Sequence, residues 1–193
     1  MNSREKILAA VKKSQPALES LPLLEEINAI RFDNAQEKLK QVLEGIGGVL
    51  LTADSLREVA AYTKEKFPAG RLITTIDSLT EIDKINSQED SHSFENVEAA
   101  VITGDFVVAE NAAIWISAAS LTARALPFIT QHLVVVVPQK NILNNMHEAY
   151  EKIGGAQYGY GVFIAGPSKT ADIEQSLVLG AHGSKSMTVF LLS

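Results

Sequence analysis

The 193-residue chain contains no cysteine. That single absence excludes disulfides, a thiolate zinc site, an iron–sulfur cluster held by this chain and a thiol nucleophile. It does not by itself place the protein in either redox compartment. Long apolar runs are missing too. The longest wholly apolar stretch, Leu133–Pro138, falls far short of the ~20 residues needed to span a bilayer. The first residues, Met1-Asn-Ser-Arg-Glu-Lys6, lack the apolar stretch of a signal peptide. The expectation is a cytoplasmic protein with no membrane span. Positive charge is also sparse. Lys and Arg number 17 against 23 Asp and Glu, a net charge of −6. No basic stripe is present, and Lys12-Lys13 reads as a solvated helix end. Broad nucleic-acid binding is disfavoured, because it relies on Lys and Arg neutralising phosphates.

Several signatures are absent as well. There is no Gly-x-Ser-x-Gly elbow, no Gly-x-Gly-x-x-Gly dinucleotide turn and no Walker loop. The four histidines, His92, His132, His147 and His182, show no metal-ligand spacing. His147-Glu148 lacks the second histidine of a zinc helix.

What remains is ordinary globular material, 46% hydrophobic and 21% charged. The length suits one domain with a core that needs no staples. Residues 3–13 read as a short amphipathic helix with Ile7, Leu8 and Val11 on one face. The stretch from Ser14 to Pro22 reads as a linker or arm, packed on its own domain or reaching a neighbouring subunit. The expected organisation is an arm over residues 1–30 and one domain over 31–193.

Within the domain, a helix is expected from Asn34 to Glu44, capped by Asp33 or Asn34 and ended by a left-handed Gly45. Leu39, Val42 and Leu43 form its buried stripe. A strand follows Gly47-Gly48. Ser55-Leu-Arg-Glu58 matches a capping box that opens a helix ending at Pro68. Arg71–Thr75 reads as a strand. Residues 77–98 are polar and acidic, with a weak helix near 79–86 and then an exposed, mobile loop. From residue 99 the chain becomes β-rich. Leu133–Val137 is an unbroken run, the mark of a strand buried on both faces. A helix from Lys140 to Ile153 is stopped by Gly154-Gly155. Strand Gly161–Ala165, helix 170–178 and strand Thr188–Leu192 complete the pattern. Strand–helix–strand order with right-handed crossovers predicts an α/β fold, a three-layer α/β/α domain with a mainly parallel sheet.

Three places could carry chemistry. Gly166-Pro-Ser-Lys-Thr-Ala-Asp-Ile-Glu174 sits where a strand should hand over to a helix, and free N–H groups there suit an anion. Ser168 or Thr170 would cap that helix, and Asp172 and Glu174 would complement its dipole. A well-capped helix and the edge of a carboxylate or phosphate pocket remain alternatives. Glu110-Asn111 links two β-rich segments. Glu110 reads either as a nucleophile or general acid/base at a strand end, or as part of a plain hairpin turn. Arg124, in an apolar stretch, reads as half of a structural ion pair or as the holder of a ligand anion. His182, in Gly180-Ala-His-Gly183, stands where glycines let backbone approach a ligand, although an ordinary loop histidine is the favoured reading.

These residues carry a family likeness. Gly166–Glu174, Leu177-Val-Leu-Gly-Ala-His-Gly183 and Thr188–Leu192 resemble the C-terminal signature of LUD-domain proteins, in their lactate-utilisation protein C branch. Asp105–Ala113 resembles that family's strand ending in Ala-Glu, and Arg124-Ala-Leu-Pro127 and Leu133–Pro138 fall at matching features. The chain departs where the family often has Thr-Gly-Thr after the glutamate; here Asn111-Ala-Ala113 follows. The likeness implies a fold similar to the sugar-phosphate isomerase and CoA-transferase group. It implies a cluster-free accessory subunit of a system oxidising L-lactate to pyruvate, with Fe–S clusters in partner subunits only. The candidate ligand contacts read from the residues themselves are Asn111, Arg124, Gly166, Ser168, Thr170, Asp172, Glu174 and His182, a small carboxylate or phosphate being the ligand. The competing expectation is a stand-alone enzyme or sensor for an acyl-CoA or sugar-phosphate type metabolite, with Glu110 as catalyst or loop 86–98 closing over the ligand.

Overall fold

The computed structural model describes residues 2–20, 28–86, 90–155, 158–169 and 182–193. Its centre is a sheet of six strands: β1 (Val49–Ala53), β2 (Arg71–Thr74), β3 (Asp83–Lys84), β4 (Val97–Thr103), β7 (His132–Pro138) and β10 (Ser186–Leu192). Their spatial order is β1-β10-β7-β4-β2-β3, and every neighbouring pair is parallel. The β-branched run sits mid-sheet in β7, where Leu133 to Val137 are all buried. Only a strand covered on both faces tolerates such a run.

One face of this sheet packs against α3 (Leu56–Lys66) through Val101, Val134, Val136 and Phe190, which meet Val59 and Ala60. The opposite face presents Ala100, Ile102, Val135, Val137, Val189 and Leu191. Among the described residues two larger elements cover it, with Phe94, Leu121 and Leu126 packed beside them. The first is α2 (Ala35–Gly45), whose Leu39 and Leu43, one turn apart, are fully buried. The second is a smaller sheet, which the sequence does not announce. It is built from β5 (Phe106–Val108), β6 (Ile114–Ser117), β8 (Ile142–Leu143) and β9 (Gly161–Ile164), in the order β8-β5-β6-β9. Its alternation is regular. Val107, Ile114 and Ile116 point into the main core, while Phe106, Val108 and Trp115 turn outward and are covered by α5 (Met146–Ile153) through Ala149 and Ile153. The architecture is the expected three-layer α/β/α arrangement, thickened on one side by this extra sheet. A short α4 (Leu126–Ile129) returns the chain to β7.

Several local expectations are corrected. Gly45 ends α2 in ordinary helical geometry, and the left-handed residue is Gly47, at φ 91°. Of the candidate caps, Asn34 is the one used, accepting the Glu37 N–H at 3.0 Å. Ser55 caps α3 as expected. The Glu58 carboxylate accepts the Asp54 N–H and the Ser55 hydroxyl, however, so the reciprocal bond is displaced by one residue.

No helix forms over 79–86. Leu79, Ile82 and Ile85 are spaced like a helical stripe, but Leu79 and Ile82 join the α3 side and Ile85 the other side. Turns over 77–81 and a bend at Ile82 place the first two, and the chain becomes extended only at β3, just before Ile85. The loop that follows is anchored in its described part. A 3-10 turn over Ser91–Asn96 drives Phe94 into full burial, and Arg71 Nη1 donates to Ser93 O (2.8 Å) and Asn96 Oδ1 (2.9 Å).

The helix expected from Lys140 is shorter. Ile142–Leu143 pairs as β8, and Asn145 caps α5. Strand 161–165 belongs to the second sheet, antiparallel to β6, and not to the main sheet. Helix 170–178 lies outside the described residues. The N-terminal helix, α1 (Ser3–Lys13), forms with an Asn2–Glu5 capping box and buries no residue.

Candidate functional site

The second sheet has two ends, and the expected site residues divide between them. β5 begins immediately after the carboxyl end of β4, with Gly104 N–H bonded to Val136 O. The far end holds the β5–β6 turn. It also holds the exit of β9, since Ile114 pairs with Ile164.

At the far end lie Glu110 and Asn111, in a hairpin turn. Asn111 Oδ1 accepts the Ala113 N–H at 3.1 Å. Ala112 follows at φ 56°, a left-handed conformation rare for a residue with a Cβ. Glu110 is exposed. Its Oε2 accepts the Met146 N–H at 2.9 Å, and its own N–H donates to Asn144 O at 3.1 Å. The carboxylate thus satisfies one of the free donors at the start of α5, where a negative charge also suits the helix dipole.

The same corner holds the chain that precedes α2. Asn144 Oδ1 accepts the Phe32 N–H (3.0 Å), and Asn145 Nδ2 donates to Ile30 O (2.8 Å). Glu148 accepts the Asn144 N–H (2.8 Å) and pairs with Arg31 (3.2 Å). The polar groups here are occupied with one another.

Gly166 also leaves from this end, at φ 73°, with Ile46 so close that a Cβ would meet its side chain at 2.9 Å. The Ser168 N–H donates to Ser184 O at 2.8 Å, against the Gly183 backbone. Gly166 and Ser168 therefore hold the chain beside the starts of β1 and β10. His182 is exposed. Thr170, Asp172 and Glu174 lie outside the described residues.

Arg124 is at the other end. Its guanidinium stacks over the Tyr160 ring, 4.9 Å from the centroid, and Tyr160 O accepts the Ala118 N–H. The turn at Ala112 and the strand end at Ala118 are six residues apart, roughly 20 Å along a strand. Glu110 and Arg124 do not share a pocket.

Arg124 instead belongs to the corner at the carboxyl ends of the main sheet, the end at which open α/β sheets form clefts. There Asp105 accepts the Ser117 N–H with Oδ2 (2.8 Å) and the Ser120 hydroxyl with Oδ1 (2.8 Å). Asn141 Nδ2 donates to Asp105 O (2.8 Å), and Thr75 Oγ1 donates to Ser120 O (3.1 Å). This network fixes the 118–120 turn from which the chain runs to Arg124. No carboxylate among the described residues pairs with Arg124, which is exposed. An exposed, stacked guanidinium of this kind can take a carboxylate in a bidentate fork. Ser120 and Tyr160 carried no signal in the sequence. Asp105 opened the Asp105–Ala113 likeness and stood as a charged residue between the apolar runs Ala99–Ile102 and Phe106–Ala109, with nothing to show its partners. Among the described residues, no group of three or more His, Cys, Asp or Glu is arranged to hold a metal ion.

Known proteins resemble this chain at several levels. The LUD domain model matches residues 25–192. A lactate utilization protein C of Geobacillus kaustophilus is 26% identical over 155 residues, covering 75% of this chain and 62% of that protein. One from Bacillus pumilus is 31% identical over 106 residues, covering 50% and 42%. One from Halalkalibacterium halodurans is 24% identical over 170 residues, covering 83% and 73%. The chain thus spans less than two thirds of the length of the first two. A crystal structure of a DUF162 family protein from Deinococcus radiodurans superposes with a TM-score of 0.65 at 14% identity, over 82% of this chain and 96% of that one. That structure shares the fold. The family match runs from ahead of α2 to the last residue of β10, and the chain belongs to the LUD-domain family.

Proposed function

We propose that this chain serves lactate utilisation in a bacterial cytoplasm, as a subunit without a cluster of its own in a system that oxidises L-lactate to pyruvate. It acts through contact with Fe–S-bearing subunits. The observation that carries this reading is the LUD match over residues 25–192, together with relatives named lactate utilization protein C. The cysteine count of zero fits it, since this chain has no thiolate to offer a cluster. The occupied state of Glu110 supports it too: a carboxylate that holds a helix end is a poor choice for a nucleophile.

The reading is tested by tagging the chain in its own cells, growing them on L-lactate and recovering it under mild conditions. The expected result is co-recovery of iron-containing proteins, with the iron lost from the eluate when lactate is withheld. Recovery of this chain alone from lactate-grown cells overturns the reading.

A second feature of the same reading is a carboxylate subsite at Arg124. Its support is the exposed guanidinium at the carboxyl ends of the sheet, stacked on Tyr160 and without a carboxylate partner among the described residues. Lactate and pyruvate both present the planar carboxylate that such a fork accepts.

A further inference from the structure

The opposite end of the main sheet carries a separate cluster. His132, Ser186 and Glu98 stand at the amino ends of β7, β10 and β4. His132 and Ser186 are direct neighbours across the ladder, and Ser186 Oγ lies 2.7 Å from His132 Nδ1. On the other side of the ring, Glu98 Oε1 is 3.5 Å from Nε2.

Glu98 reaches that position through an irregularity. Arg71 pairs with Val97 and Leu72 with Ala99, so Glu98 is the extra residue of a bulge. A bulge re-aims a side chain, and here it turns Glu98 toward His132. Gly70 makes the room, because a Cβ there would lie 2.2 Å from the Glu98 Cβ. Phe67 stacks on the imidazole at 4.5 Å and 22°. Beside the cluster is an open groove of about 270 Å³, lined by Lys66, Phe67, Pro68, Ala69, Gly70 and Glu98.

We propose that Ser186, His132 and Glu98 form a nucleophilic serine site that accepts acyl groups from small esters carrying an anionic group. With Nε2–H facing Glu98, Nδ1 is free to take the Ser186 proton, the arrangement that activates a hydroxyl. Burial holds the imidazole below its ordinary pKa of 6.5, with Glu98 opposing and Lys185 and Lys66 reinforcing that shift. A neutral imidazole is the form a general base requires. Lys66, in the groove wall, and Lys185, beside Ser186, supply the attraction for an anion.

In the reaction, Ser186 Oγ attacks the ester carbonyl carbon while its proton passes to Nδ1. The ester C–O bond breaks, and the leaving alkoxide takes that proton from His132. Water then repeats the sequence, cleaving the acyl-serine bond and releasing the acid. Glu98 is the positioning residue, which fixes the tautomer and ring orientation.

The chain has no cysteine, so Ser186→Cys creates a single thiol that reports the site directly. The expected result is alkylation by iodoacetamide about tenfold faster at pH 7 than an exposed cysteine control placed at Ser14, with the rate profile moved to lower pH. His132→Gln should abolish that advantage, and Glu98→Gln should move the profile back toward the control. In the natural chain, a fluorophosphonate probe should label Ser186, with labelling lost in Ser186→Ala. An alkylation rate at or below the control, or one indifferent to His132→Gln, overturns the proposal and leaves Ser186–His132 as a structural hydrogen bond only. Labelling that survives in Ser186→Ala overturns it equally. Neither readout depends on lactate or on any partner.

Discussion

Glu110 Oε2 accepts the backbone N–H of Met146 at 2.9 Å, joining the β5–β6 turn to the first turn of α5. The bond works as a cap supplied from another element. Removing a cap acceptor costs about 1 kcal/mol, and the interaction of a carboxylate with the helix dipole adds a few tenths. Glu110→Ala should lower stability by roughly 1 kcal/mol in urea titration. Glu110→Gln keeps an acceptor and should lose only about half of that. A Glu110→Ala protein as stable as the natural one would show that the bond is not made in solution.

Gly104 is where the chain leaves the main sheet for the second. A Cβ on it would lie 2.4 Å from Ile114 Cγ2, 3.0 Å from Val137 Cγ2 and 3.1 Å from Val135 Cγ1. All three neighbours are buried in the main core, where none can step aside. Gly104→Ala should therefore destabilise by about 1–3 kcal/mol, the usual range for overpacking. Gly45, at the end of α2, is the control. Nothing lies within 4 Å of a Cβ there, and its φ is not positive. Gly45→Ala should stabilise by up to about 1 kcal/mol through helix propensity. The two melting temperatures should move in opposite directions.

The uneven legibility of this chain has physical causes. β7 was readable because five consecutive apolar residues admit few alternatives to burial on both faces. α2 and α3 were readable from their caps, Asn34 and Ser55, and from apolar spacing. The second sheet was not: β5, β6 and β9 fall where the sequence reads as β-rich, but nothing in strands this short says that they pair with one another apart from the main sheet. Its β8 also sits inside a run that helical spacing explains well. Leu79, Ile82 and Ile85 share a spacing of three without a helix, because turns over 77–81 and the short β3 send them to the two sides of the sheet. The candidate site suffered most. Glu110 and Arg124 were visible as isolated charges among apolar residues, but their separation across the second sheet depends on strand pairing. The cluster at His132 depends on it entirely: Glu98, His132 and Ser186 are far apart in sequence and meet only through the order β4-β7-β10.

The exposed face of α1 gives a third prediction. Ile7, Leu8 and Val11 are 63%, 52% and 55% exposed, and no residue of the helix is buried. Elements that bury nothing contribute little to the folded state. A chain lacking residues 2–20 should melt within about 2 °C of the full one, since that interval corresponds to less than 1 kcal/mol in a domain of this size. A larger fall would show that α1 packs on its own domain.

Arg124 carries the fourth. Its stacking on Tyr160 at an exposed position is worth about 0.5–1 kcal/mol, so Arg124→Ala should fold with nearly unchanged stability. Its effect should appear in ligand response. If the guanidinium holds a carboxylate, lactate or pyruvate in excess raises the melting temperature of the natural chain. The shift should vanish in Arg124→Ala and shrink in Arg124→Lys, which keeps charge but loses the fork. Glu110→Gln should leave the shift intact, because the two residues lie at opposite ends of the second sheet. A shift abolished equally by Glu110→Gln would place the ligand elsewhere.

His132 sets the last prediction. Burial lowers its pKa from 6.5, and Lys185 and Lys66 push in the same direction while Glu98 pushes back. The folded chain therefore takes up this proton later than the unfolded chain as pH falls. Wherever the unfolded state binds more protons, stability rises with pH. The His132 contribution should be fully present above pH 6.5, decline as pH falls below that value, and level off once the folded imidazole is also protonated. Replacement by Gln removes the titration and keeps a polar group of similar reach. The difference in unfolding free energy between the natural chain and His132→Gln should thus drift in favour of the variant from pH 7.5 down to pH 5. Glu98→Gln should deepen this decline, because it removes a neighbour that favours the charged ring. A difference that stayed flat across this interval would show that the imidazole is as well solvated in the folded chain as in the unfolded one.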